Sequence, residues 1–159
     1  MFGSVFSSNS TLDDTDSTPP SLTPSNHTLR SIYISFRDVV SALYELDTRK
    51  PYGHDGRTPV VLKTCSVELA PFLAKLFRLC LKTETFPSSW KFALVHPVPK
   101  KGDHSNPSNY RPIALICTLS KVFQSILDEN IRKHLISKNL LSDRQYGFLK
   151  GLSTGDLLI

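Results

Sequence analysis

The residues with the clearest chemical potential flank one polar stretch. Lys100 and Lys101 stand before it and Arg111 stands after it, with Gly102-Asp103-His104-Ser105-Asn106-Pro107-Ser108-Asn109 between. A Lys ammonium is a compact point charge, whereas an Arg guanidinium is a planar fork that can grip two oxygens at once. Brought together, the two would suit a polyphosphate. Arg111 lies eleven residues from Lys100 and ten from Lys101, so only a reversal of the chain can unite them. Left apart, they are ordinary solvated bases on a charged loop.

The flanking segments predict that reversal. Phe92, Leu94, His96 and Val98 alternate with Ala93, Val95 and Pro97, a period of two that predicts a strand within 90–98. Ile113-Ala114-Leu115-Ile116 supplies the return, and Pro112 biases Arg111 toward an extended backbone. The expectation is a long hairpin with its charge at the tip.

Helices must carry the hairpin. Ser35 with Asp38 three residues later opens a helix as a capping box, and Phe36, Val39, Val40, Leu43 and Leu46 follow at helical spacing. Lys50 to Gly56 has turn chemistry throughout, and a short helix is expected over 60–64. Ser66 opens a longer helix in which Leu69, Phe72, Leu73, Leu76, Phe77 and Cys80 recur as one apolar face. Pro71 must sit in its first turn or bend it, and Pro87 stops it. The longest helix starts at Thr118 or Ser120 and carries Leu119, Val122, Phe123, Ile126, Leu127, Ile131 and Leu135. A short strand over 145–148 and a helix start at Ser153 are also expected.

Composition narrows the function classes. The chain has 159 residues, 40% of them apolar and 21% charged, which excludes a wholly disordered polymer. Residues 1–29 hold Asp13, Asp14 and Asp16 but no Lys or Arg, and they read as a loose tail rich in Ser, Thr and Pro. The rest then carries 19 bases against 11 acids, a net of +8. That balance favours polyanionic partners, nucleic acid above all. The longest apolar run, Ile113 to Cys117, is too short for a membrane span, and no membrane partner is expected. Cys65, Cys80 and Cys117 read as reduced, buried thiols of an intracellular protein.

Residues 87–121, from Pro-Ser-Ser-Trp-Lys through His-Pro-Val-Pro-Lys-Lys-Gly-Asp and Asn-Tyr-Arg-Pro-Ile-Ala-Leu to Ser-Lys, resemble the reverse transcriptases of non-LTR retrotransposons. So does Leu141-Ser-Asp-Arg-Gln-Tyr-Gly-Phe148, and weaker similarity reaches Gly53-His54-Asp55-Gly56, Glu68-Leu69-Ala70-Pro71 and even Phe2–Phe6. The resemblance implies an α+β architecture: the helix-rich fingers of a right-hand polymerase with a small β-hairpin, followed by a truncated palm. Residues 1–29 would be a tail and 30–159 a partial reverse transcriptase domain. It further implies that Lys100 and Arg111 contact the nucleotide triphosphate, with Gln145, Gly147 and Phe148 near the nucleotide. Lys101, Tyr110 and Lys150 would touch the template. Partners would be an RNA template, a DNA primer and a deoxynucleotide, together with the palm and thumb of a longer polyprotein, in the nucleus or cytoplasm.

Two departures from the family pattern stand out. Leu149 and Leu152 occupy positions where that pattern has arginines, and Arg57-Thr58-Pro59 replaces the usual Ile-Pro. Nucleotidyl transfer also needs two metal ions held by carboxylates. Asp128 and Glu129 are adjacent on one helix and diverge, while Asp143 and Asp156 stand alone. The family's metal-binding Asp motifs are expected beyond Ile159. No catalytic residue, metal or other cofactor is therefore assigned to these residues, and magnesium is expected only in the full-length polymerase. The alternatives are a non-enzymatic nucleic-acid-binding module and an unstable relic or interaction protein.

Overall fold

Helix caps, the change of hydrophobic period and the turn residues together lay out the architecture. A computed structural model describes residues 2–8, 18, 27–29, 31–142, 147, 151, 153 and 155. Phe2–Ser8 forms α1, Phe36–Tyr44 α2, Pro59–Thr64 α3, Ser66–Thr83 α4 and Thr118–Ser137 α5. Ala93–Pro99 (β1) and Tyr110–Ile116 (β2) pair as one antiparallel ladder. Mixed helix and a two-stranded sheet agree with an α+β class.

Several elements follow directly from local chemistry. Ser35 Oγ accepts from Asp38 N while Asp38 Oδ2 accepts from Ser35 N, so both halves of the capping box are made. Pro59 occupies the first helical position of α3, where its missing N–H costs nothing. Pro71 lies inside α4 beyond the first turn, so one internal hydrogen bond of that helix is absent. Glu84 ends α4 in the left-handed conformation, φ 52°, three residues before Pro87. Within residues 1–29, expected as a tail, Phe2–Ser8 is helical.

The core lies between α2, α4 and α5. Val39 and Leu43 of α2, Ala70, Leu73, Ala74 and Phe77 of α4, and Val122, Phe123 and Ile126 of α5 are all buried there, with Ile34 beneath them. Trp90, in a single 3-10 turn over Ser88–Lys91, closes it. Its ring lies 6.0 Å from Phe77 and 5.4 Å from Phe86, and Phe77 lies 5.0 Å from Phe123. Each such aromatic contributes about 1.5–3 kcal/mol by leaving water.

The face of α4 turned inward is narrower than its spacing suggests. Leu73, Phe77 and Cys80 are buried, but Phe72 is 75% exposed. Successive residues are separated by about 100° on a helix, and the partners α2 and α5 cover only one side. The strand expected from Trp90 starts at Ala93 instead, because Trp90 is drawn into the core by the 3-10 turn. The expected strand over 145–148 lies outside the described residues except for Gly147, which sits in a turn. The helix start at Ser153 also lies outside them apart from Ser153 itself and Gly155.

No residue of β1 or β2 is buried. The hairpin therefore stands out from the helical core, joined to it through the Trp90 turn and the start of α5.

Candidate nucleotide and template interface

The ladder register fixes what the tip can present. Val98 pairs with Arg111 and Pro99 with Tyr110. One step further, Lys100 N donates to Asn109 O at 2.7 Å, so the pairing continues past the formal strand end. Side chains alternate faces along a strand, and directly paired residues share a face. Val98 and Arg111 thus share one face, and Lys100, one residue past the end of β1, is a diagonal neighbour of Arg111 if the alternation is carried that one step further. Such diagonals are about 7–8 Å apart. The two cations stand at the same end of the hairpin, and both are exposed.

Their settings differ. Lys100 Nζ donates to Ser108 O at 3.1 Å, which holds the ammonium across the loop. Arg111 stays in regular strand geometry between the half-buried Tyr110 and the exposed Pro112. Lys101 is exposed on the bend that follows Lys100.

The loop between them is tightly knit. Asp103 accepts from Ser105 N at 2.8 Å and from Ser105 Oγ at 2.6 Å. These bonds, the hydroxyl first, hold the Asp103 carboxyl below its ordinary value of 3.8. Asn106 Oδ1 accepts from Ser108 N, and Asn109 Nδ2 donates to Asp103 O. Tyr110 Oη donates to His104 O at 3.1 Å, while its ring meets the edge of Phe2 from α1 at 4.8 Å. Tyr110 thus ties the tip to the strand and to α1. Gln145, Phe148 and Lys150 lie outside the described residues; Gly147 is exposed.

A second loop seats the hairpin on the core. Gly53 is buried against the junction of β2 and α5, where any Cβ would lie 2.6 Å from Cys117 N and 2.6 Å from Ile116 C. Thr118 Oγ1 donates to Arg57 O at 3.1 Å. Helix α5 carries no acid in its first turn. Asp55, one buried oxygen of which lacks a hydrogen-bond partner among the described residues, sits beside Cys117 at that helix start. A negative charge is favourable there. Burial and then the Asp55 carboxylate push the Cys117 thiol above its ordinary value of 9.0. Cys80 is raised by burial. Protonated, enclosed thiols of this kind are poor nucleophiles. Sequence spacing gave no sign that residues 53–57 support the hairpin, since they lie about sixty residues away along the chain.

Among the described residues, no group of three His, Cys, Asp or Glu side chains is placed to hold a metal ion. No described helix is long and apolar enough to cross a membrane.

Comparison with known proteins then gives the relatives of the chain. The chain is 30% identical over 122 residues, 76% of its length, to a probable RNA-directed DNA polymerase from transposon BS of Drosophila melanogaster. It is 25% identical over 122 residues to the corresponding protein of transposon X-element from the same organism. By sequence, the chain is a homologue of the reverse transcriptases of non-LTR retrotransposons. It is also 29% identical over 121 residues to the retrovirus-related Pol polyprotein from type-1 retrotransposable element R1 of Bradysia coprophila. No family model matches. The chain spans only 12–14% of the length of these relatives.

Proposed function

We propose that this reverse transcriptase homologue is the fingers and start of the palm of an RNA-directed DNA polymerase, and that its hairpin contacts the nucleotide and the template. The observation that supports this is the ladder, which pairs Val98 with Arg111, together with the Lys100 N to Asn109 O bond one step beyond it, so that both cations stand at the same end of the hairpin. An ammonium and a guanidinium at that spacing can grip different oxygens of one triphosphate. Lys101 extends the positive surface toward a template strand. Tyr110 acts chiefly as the brace that keeps the tip rigid, so the cost of ordering the loop is met before a ligand arrives. Gln145, Gly147, Phe148 and Lys150 complete the proposed site by resemblance. An RNA template, a DNA primer and a deoxynucleotide are the partners that this reading requires.

Nucleotidyl transfer needs two metal ions held by carboxylates, and no such cluster occurs among the described residues, so this reading expects the chain not to extend a primer by itself. The exposed apolar side chains of the hairpin, Leu94, Val95 and Ile113, with Phe92 just before it, support a further part of this reading. They would pack against the palm and thumb of a longer polyprotein.

The test is a titration of the chain with a deoxynucleoside triphosphate and with a primer–template, comparing wild type with Lys100→Ala/Arg111→Ala. Both residues are exposed, so folding should survive. Triphosphate affinity should fall at least tenfold in the double variant, each charge-assisted bond being worth about 1.5–3 kcal/mol. Equal affinities would remove the pair from the site, and primer extension by the purified chain would refute the claim of inactivity.

A further inference from the structure

We infer that a second contact for single-stranded nucleic acid lies away from the hairpin, in the cleft that Leu29, Ser31, Ile32 and Tyr33 form with the last turns of α4. This deepens the reading of a nucleic-acid-handling protein and rests on it. The cleft encloses about 530 Å³. Its floor is apolar, formed by Leu29, Ile32 and Leu81, and Arg78 and Lys82 stand at its rim. Tyr33 forms one wall and is 70% exposed.

The wall is organised rather than loose. Arg78 Nη1 donates to Tyr33 Oη at 2.9 Å, and the guanidinium carbon lies 5.5 Å from the ring centroid. That pair fixes the ring and leaves most of it open. An apolar slot beside a fixed aromatic ring accepts the flat face of an unstacked base, while cations at the rim meet its phosphates.

The charge continues along the helix. Lys75, Arg78 and Lys82 recur at i, i+3 and i+7, so they share one exposed stripe about 10 Å long. None of the three takes part in the ion pairs seen among the described residues. From Lys75 to Thr83 the helix has no acid; Glu84 follows at its end. The helix dipole brings about half a negative charge to that end, which the cations outweigh. A duplex keeps its bases stacked and would leave the ring and the apolar floor unused, so a single strand is the better fit.

The experiment measures anisotropy of a fluorescein-labelled 20-nucleotide oligouridylate on the full chain across a salt series. Wild type is compared with Tyr33→Ala, Arg78→Ala/Lys82→Ala and Lys100→Ala/Arg111→Ala. The first should weaken binding about tenfold, the loss expected for one stacked base. The second should weaken it and flatten the slope of log K against log salt by about 1.4, or 0.7 for each lost phosphate contact. Unchanged affinity and slope in both, with a loss only in the hairpin variant, would overturn this cleft and leave the proposed function standing. No binding by wild type would overturn both. Competition by polyglutamate as strong as by unlabelled oligouridylate would also overturn it, because the cleft would then read charge without bases.

Discussion

Replacing Gly53 by alanine tests whether the 53–57 loop seats the hairpin. The added Cβ would meet Cys117 N at 2.6 Å, Ile116 C at 2.6 Å and Ile116 O at 2.7 Å. All three are backbone atoms, so no side chain can swing aside. Ordinary contact begins near 3.4 Å, and the junction must therefore open by about 0.8 Å. It joins the end of β2 to the first turn of α5, whose Val122, Phe123 and Ile126 are buried. Overpacking of this kind costs typically 1–3 kcal/mol, and rigid backbone on every side puts Gly53→Ala near about 3 kcal/mol. The matched control is Gly56→Ala, which has open space but a φ of +64°. Its cost is conformational strain alone, about 1 kcal/mol. Trp90 is the only tryptophan and is buried beside this region, so its fluorescence reports thermal unfolding of both variants. The expected drop in Tm is roughly 10 °C for Gly53→Ala and about a third of that for Gly56→Ala. Triphosphate affinity should fall in the first variant and hold in the second. If Gly56→Ala proved the more damaging, the packing argument at the junction would be wrong.

Three further expectations rest on separate observations. Ser35→Ala removes the hydroxyl half of the capping box and should cost about 1 kcal/mol in urea unfolding, with Ser35→Asp retaining most of the stability. Cys117 titrates above its ordinary 9.0 in the folded chain, so the folded state holds its proton more tightly than the unfolded state. That stability is fully present below pH 9 and declines as pH rises through the folded value. Cys117→Ala should flatten this alkaline limb, and an unchanged limb would reject the assignment. Asp103 is held low by Ser105, so its contribution is present above pH 3.8 and is lost as pH falls through the folded value. In Ser105→Ala, an NMR titration should show the carboxyl moving up toward 3.8, and a stationary midpoint would show that other groups set it.

The local features of this protein were legible in its residues because they depend on near neighbours. Ser35 with Asp38 marks α2, Pro59 starts α3, and the alternation before Lys100 marks β1. The pairing of the strands before Lys100 and after Tyr110 could be anticipated because a hairpin is the shortest way to reverse two apolar strands across a polar loop. The motifs around them also pointed to the family that comparison supports.

What tertiary structure alone decided concerns contacts between distant segments. Phe72 shares the periodic pattern of α4 yet faces out, because α2 and α5 cover one side only. Trp90 reads as the start of a strand but is pulled into a 3-10 turn by Phe77, Phe86 and Phe123. Gly53 reads as an ordinary turn glycine until the junction at Ile116 and Cys117 closes over it. Tyr33 and Arg78, separated by 45 residues, become one wall of a cleft. Periodicity and caps are set by neighbouring residues, whereas these outcomes depend on which surfaces meet when the helices pack.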